Sequence, residues 1–335
     1  MHIGLTLLIT ALVLGSAVWY MTAMPGASFR GALPPLSSDE VQIKSNLEKH
    51  VEYFAGTIGE RNVIAYQPLV STAQYIENSL KGFGYEVASQ EYVVQMRKVR
   101  NLIVEIQGKA RANEIVVIGA HYDTVDDCPG ADDNSSGVAA LLELARLLKD
   151  SHPARTMRLV AFVNEEPPWF QTSDMGSWVY AMEAHRKNEN IVAAISLETI
   201  GMYSDAEGSQ KYPAGFKRLY PSRGNFIAFV GDLGSRALVR DVVASFRKST
   251  QFPSEGSAVP GAIPGVGWSD HWSFWQEGYP AIMVTDTAPF RNPNYHLPTD
   301  KPDTLDYDRM ARVTLGLFHV ARDLGQYPSP QRAVR

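Results

Sequence analysis

The chain has 335 residues, of which 45% are apolar and 20% charged, a balance that excludes long-range disorder and fibrous repeats and lets a large core form without disulfides. Thirty-one Lys and Arg stand against 36 Asp and Glu, a net charge of −5, with no basic cluster dense enough to follow a phosphate backbone, so no nucleic-acid partner is expected. The one cysteine, Cys128, cannot close an intrachain disulfide.

The run from Ile3 to Ala23 holds 21 residues without a charge. At about 1.5 Å per residue it makes roughly 31 Å of helix, the hydrocarbon thickness of a bilayer. Residues 1–24 are therefore expected to be a membrane anchor, or a signal segment if the small residues near Gly15-Ser16-Ala17 or Pro25-Gly26-Ala27 support cleavage. Either way the rest is expected outside the cytoplasm, membrane-anchored or periplasmic or secreted. Residues 25–38 (PGASFRGALPPLSS) hold three prolines and two glycines and read as a linker to one globular domain over 39–330.

Ser38-Asp39 is a candidate N-cap for a helix carrying Val41, Ile43, Leu47, Val51 and Phe54, and a second helix is expected over Thr72–Lys81, stopped by Gly82 and Gly84. Strand-like runs follow at Asn101–Gln107, Glu114–Gly119, Arg158–Val163, Val192–Leu197, Asn225–Val230 and Ala281–Val284, and helices at Val138–Lys149, Ser177–Arg186, Ser235–Lys248 and Asp308–Leu324. Continuously apolar strands between amphipathic helices predict an α/β fold. Its central sheet is mixed and mostly parallel, with helices on both faces.

In such sheets chemistry gathers beyond the carboxyl ends of the strands. One strand here runs into His121-Tyr122-Asp123, the next into Asn164-Glu165-Glu166, and a third ends in Glu198. A turn with Asp132-Asp133-Asn134 precedes a helix, and a late loop brings Tyr295-His296 with Asp300. Singly, a His-X-Asp is an ordinary hydrogen-bonded pair and two adjacent glutamates are ordinary surface. Their recurrence at successive strand ends points instead to imidazoles and carboxylates gathered on one edge, a donor set that suits zinc.

The chain resembles the di-zinc exopeptidase family of bacterial secreted aminopeptidases, glutamate carboxypeptidases and glutaminyl cyclases. The resemblance rests on GAHYDTV (119–125), PGADDNSSGVAALLELAR (129–146), FVNEE (162–166), SLETIG (196–201), SDHWSFWQEGYPA (269–281) and NYHLPTD (294–300). It implies two zinc ions: His121 and Glu198 on the first, Glu166 and His296 on the second, and Asp133 bridging both. Glu165 is implied as general base and Asp123 as the carboxylate orienting His121. A cis peptide is implied at Asp133–Asn134. Tyr295 is a candidate donor to the developing oxyanion, and Asp300 a candidate partner of His296. His271 is assigned to an outer hydrogen-bond network.

The expected activity is metal-dependent exopeptidase cleavage of a peptide substrate, of aminopeptidase type. Glutaminyl cyclisation with one zinc is an alternative, although Tyr295 stands where cyclases tend to carry Trp. A carboxypeptidase would need a cation for the terminal carboxylate, for which Arg218, Arg223 and Arg291 are available. A non-catalytic binding protein is the weakest reading, because the whole ligand set is present. The 164–173 loop, Trp268, Trp272 and Trp275 are candidate walls of a substrate pocket.

Overall fold

The computed structural model describes residues 2–326; the side chains of residues 2–4, 7 and 8 lie outside that description, as do Met1 and the expected domain end at 330. One sheet contains β1 (Ala88–Val94), β2 (Arg97–Ile106), β3 (Arg111–His121), β4 (Arg155–Phe162), β5 (Asn190–Glu198), β6 (Ile227–Gly231), β7 (Ser254–Ala258) and β8 (Ala281–Thr285). Their spatial order is β1-β2-β4-β3-β5-β8-β6-β7. The central four, β4, β3, β5 and β8, run parallel; on one side β2 is antiparallel to β4 and β1 antiparallel to β2, while on the other β6 is antiparallel to β8 and parallel to β7. The α/β, mixed-sheet expectation holds.

The helices are α1 (His2–Thr22), α2 (Ser38–Val51), α3 (Tyr66–Gly82), α4 (Gly137–Leu148), α5 (Gly176–Arg186), α6 (Arg236–Ser249), α7 (His271–Gln276) and α8 (Tyr307–Gln326). Side chains alternate across each strand. On β3, Val116, Ile118 and Ala120 join the core shared with α2, α3, α4, α6 and α8, while Ile115 and Val117 join the one under α5 and α7. Helix α4 lies between the sheet and both α2 and α8, which is why ten of its 12 residues are buried. Each Leu or Val fully buried this way contributes about 1.5–3 kcal/mol.

Several local expectations shift. The cap of α2 is Ser37, one residue earlier: its Oγ accepts from Glu40 N at 3.2 Å, and Glu40 Oε2 accepts from Ser37 N at 2.7 Å. Helix α3 begins at Tyr66, because Pro68 falls in its first turn, where a missing N–H breaks no helical bond. Strand β1 is half exposed at an edge, and β7 (SEGSA) is built from small and polar residues, so neither shows an apolar run.

The apolar N-terminal run is helical, with Leu12, Val13 and Leu14 each 61% exposed. Among the described residues, no helix is long and apolar enough to cross a membrane. The end of the 1–24 segment and the start of the segment read as a linker are tied along the edge formed by α6 and β7. Arg240 donates to Ala23 O, Arg247 Nη1 to Pro25 O at 3.0 Å, and Ser254 N to Ser28 Oγ at 2.9 Å.

Candidate metal centre

The four parallel strands end on one edge, and three deliver candidate site residues there directly. His121 closes β3, Glu165 and Glu166 follow β4, and Glu198 closes β5. Asp133 comes from the turn into α4, whose close packing demands glycine at two places. A Cβ on Gly130 (φ +61°) would lie 2.3 Å from Asp133 O, and one on Gly137 would lie 2.3 Å from Asn134 Oδ1. The Asp133–Asn134 peptide is cis, as the resemblance implies. Asn164, Thr199 and His296 hold positive φ (+60°, +45° and +58°), costly for non-glycine residues and found where surroundings enforce them, often at functional sites. One enforcing contact is Thr199 N donating to Asn134 Oδ1 at 3.2 Å.

The expected ligands form two triads, His121–Asp133–Glu198 and Asp133–Glu166–His296. Nε2 of His121 lies 3.2 Å from Asp133 Oδ1 and 3.3 Å from Glu198 Oε2. Nε2 of His296 lies 3.0 Å from Asp133 Oδ2 and 3.2 Å from Glu166 Oε2. Glu165 Oε2 stands 3.8 Å from His121 Nε2.

All but His296 are buried. Nε2 of both imidazoles, Asp133 Oδ1 and Glu166 Oε1 have no hydrogen-bond partner. Buried polar atoms are ordinarily satisfied, so this convergent set fits a cation. Electrostatics agree. Burial, with Asp133 alongside, pushes Glu166 up to about 8, and burial with Glu198 and Glu166 nearby raises Glu165 well above its ordinary value against the pull of His121. Asp133 is lowered instead: burial raises it, but the facing His121 and His296 imidazoles together outweigh that. Four carboxylates against two imidazoles leave a negative cavity that divalent cations would neutralise.

Asp123 occupies its expected place. Oδ1 accepts from Glu165 N and Oδ2 from Glu166 N, each at 3.1 Å, and Oδ1 faces His121 Nδ1 at 3.6 Å. The expected partner of Asp300 is His296, but its carboxylate turns instead to the backbone beneath the bridge. It accepts from Asp132 N at 3.0 Å and Asp133 N at 3.1 Å, because those N–H groups are buried and need an acceptor. Tyr295 stacks on His296 with ring centroids 3.8 Å apart, and burial among the carboxylates raises its hydroxyl far above its ordinary range, so it stays protonated.

Other supports were not foreseen. Ser269 Oγ donates to Glu198 Oε2 at 2.6 Å, and Asp132 accepts from Gly201 N at 2.9 Å and Asn292 Nδ2 at 2.7 Å. The fully buried Arg61 donates to Tyr122 O, Pro129 O, Gly130 O and Ser135 Oγ at 2.6–3.1 Å, joining the His121 and Asp133 loops. Nothing near Arg61 in sequence signals this. His271 Nε2 bonds Val266 O at 2.7 Å, and burial lowers its pKa to about 4, consistent with a structural place. Cys128 Sγ donates to Leu297 O at 3.3 Å, and burial pushes its thiol up to about 12, unsuited to a nucleophile.

The model for Peptidase family M28 matches residues 101–321. The chain belongs to peptidase family M28. An uncharacterized protein of Escherichia coli, YfbL, is 41% identical over 281 residues, covering 81% of this chain and 85% of that one. Leucine aminopeptidase 1 of Uncinocarpus reesii is 26% identical, covering 87% and 72%. Among solved structures, BSAP, a zinc aminopeptidase from Bacillus subtilis, superposes with a TM-score of 0.66 at 15% identity, covering 86% of this chain and 96% of that one. A Bacteroides thetaiotaomicron glutaminyl cyclase superposes at 0.64 and 18% identity, covering 87% and 99%. These two likenesses establish the fold.

A large cavity opens beside the centre, lined by Glu198 and Tyr295 at its inner end, with an empty volume of about 830 Å³ including its mouth. Trp268 lines it; Trp272, Trp275 and the 164–173 loop do not. Trp272 instead packs edge-on against Trp178, and Trp275 Nε1 donates to Ala281 O at 2.9 Å. The walls come from residues 210–220 and 263–268, which cover the sheet where no described helix does.

Proposed function

We propose that this peptidase is a zinc-dependent aminopeptidase that holds two ions. The observation that carries the reading is Asp133, whose two oxygens face two different imidazoles at 3.2 and 3.0 Å, so that one carboxylate serves both triads. His121 and Glu198 would hold one ion and Glu166 and His296 the other. When bound, the ions would polarise the scissile carbonyl and make water a better nucleophile at neutral pH.

The protein groups do the rest. Glu165, held by its backbone on Asp123 and raised in proton affinity by burial, accepts the proton of the attacking water and hands it to the departing amine. Tyr295, kept protonated, donates to the carbonyl oxygen as charge develops on it. Two of the cations available to a carboxypeptidase are engaged elsewhere. Arg291 is buried against Phe226 O and Gln210, and Arg223 pairs with Glu207 at 3.1 Å on the surface.

The N-terminal helix, uncharged from Ile3 on, is proposed as an export segment preceding domain 39–330, which is cleaved or stays attached at a membrane, although no described helix is long and apolar enough to cross one. Carbonate-resistant sedimentation of the full chain would mark an anchor, and a shortened N-terminus a cleaved signal.

The test of activity is zinc stoichiometry together with cleavage of unblocked, N-acetylated and N-terminal glutamine peptides. Two ions per chain and release of free N-terminal residues from unblocked peptides alone are expected. One ion with ammonia release from glutamine would make the chain a cyclase, and no metal with no turnover a binding protein.

A further inference from the structure

The cavity beside the centre has a floor that the strand register defines. Glu198 pairs with Thr285, Thr285 with Ala228, and Ala228 with Glu255, so these four lie in one row across β5, β8, β6 and β7. Residues in one row point to one face of the sheet, and all four line the cavity. Three strand spacings of about 4.8 Å separate the first and last, so roughly 14 Å lies between a metal ligand and Glu255.

The middle of the row is small, Thr285 and Ala228, which leaves an open trough. Its walls are aromatic: Phe216 stacks on Tyr220 (centroids 6.3 Å, 10°), Tyr220 on Tyr212 (6.0 Å, 26°), and Trp268 on Phe290 (6.5 Å, 19°). Tyr220 is pinned by its hydroxyl, which donates to Gly256 O at 3.0 Å.

A trough with aromatic walls that ends in a carboxylate has a distinct chemistry. Ring faces attract cations as well as apolar groups, and a carboxylate in a sheltered position attracts only the cation. The Glu255 side chain is 22% exposed and accepts from the Ser28 hydroxyl. Two cations stand near, Arg247 with Nη2 at 4.0 Å, beyond hydrogen-bond reach, and Arg30, so an incoming cation shares this carboxylate with the N-terminal segment. Lys211 also lines the cavity, but its Nζ is turned to Gly208 O at 2.9 Å and the residue is exposed.

Length discriminates further. Side chains at both ends take up several ångströms of the 14, leaving a reach of about 6–8 Å, while an extended arginine spans about 7 Å from Cα and a leucine or phenylalanine about 3–5 Å.

We propose that the trough selects peptides whose N-terminal residue is basic, arginine before lysine, with the aromatic walls along its stem and the Glu255 carboxylate receiving its charged head. This deepens the aminopeptidase reading and rests on it. Arginine leads because its flat guanidinium both stacks on rings and forks onto a carboxylate.

The experiment measures kcat/KM of the zinc-loaded full chain on aminoacyl-p-nitroanilides of Arg, Lys, Leu, Phe and Ala, for the wild type, Glu255→Gln and Glu255→Asp. Arg is expected to lead Leu, and the Arg-to-Leu ratio to fall about tenfold or more in Glu255→Gln, with part of it kept in Glu255→Asp, which retains the charge. Thermal unfolding of each variant shows whether Arg247 and the N-terminal segment still dock. Leu or Phe preferred over Arg in the wild type would overturn the proposal, as would an Arg preference that Glu255→Gln leaves intact. No cleavage of any of the five would remove the aminopeptidase reading itself, and this inference with it.

Discussion

Replacing Asp123 by Asn tests how the centre is held together, because one carboxylate there serves three functional groups. Its two oxygens each accept a backbone N–H at 3.1 Å, from Glu165 and from Glu166, and one of them faces His121 Nδ1 at 3.6 Å. Asparagine has nearly the same shape, but one oxygen becomes NH₂. Whichever way the amide turns, a donor then confronts a donor. One hydrogen bond to a charged acceptor is lost, at about 1.5–3 kcal/mol, a factor of roughly 10–150. The carboxylate that orients a ligand imidazole typically accounts for about 10–100-fold in metal affinity, so two independent arguments give the same scale. Zinc affinity measured against a chromogenic chelator is expected to weaken by about 10–100-fold. Turnover should stay depressed even at saturating zinc, because the Glu165 backbone has lost its anchor. An Asn variant within about twofold of wild type in both affinity and saturated kcat would refute the reasoning, since a 1.4 kcal/mol loss alone is tenfold.

Glu165→Gln should retain both ions by elemental analysis while kcat falls by about 10²–10⁴, since the base is not needed to hold metal; full activity would remove Glu165 from the mechanism. Asp133→Ala should lower occupancy at both sites, and an unchanged stoichiometry would place the bridge elsewhere. His50, buried against the Tyr75 hydroxyl at 2.9 Å, has its pKa lowered by burial from 6.5 to about 4. The unfolded chain therefore binds more protons than the folded one between those values. His50 costs nothing above pH 6.5 and destabilises increasingly as the pH falls toward 4, by about 3 kcal/mol in full. Urea unfolding at pH 8 and pH 5 should show His50→Phe losing less stability between the two than wild type; equal losses would mean that His50 is not the group responsible.

Most of the candidate site residues were legible because they interrupt a local pattern. His121, Glu165, Glu166 and Glu198 are titratable residues set directly after apolar strands, and the strands are legible from their own composition. Asp123 follows from the same stretch as His121, so its role needs only a short turn. The target of Asp300 did not follow. Its neighbour in sequence is His296, but the groups short of an acceptor are the N–H groups of Asp132 and Asp133, more than 160 residues away. Arg61 and Ser269 were equally silent, because a buried polar side chain is defined by which unsatisfied atoms surround it, and those arrive from distant segments. Strand β7 was missed for a related reason: pairing with β6 makes it a strand, and SEGSA carries no apolar period of its own.

By itself, then, the sequence determined the α/β class and the edge of the sheet where chemistry gathers, which depend on hydrophobic period and on residues adjacent in the chain, while the candidate ligand set came from the family resemblance of its motifs. Only the tertiary structure decided what Asp300 and Arg61 hold, and that the row from Glu198 to Glu255 forms the floor of one trough. Those depend on strand order and register, which local sequence leaves open and packing of the whole sheet settles.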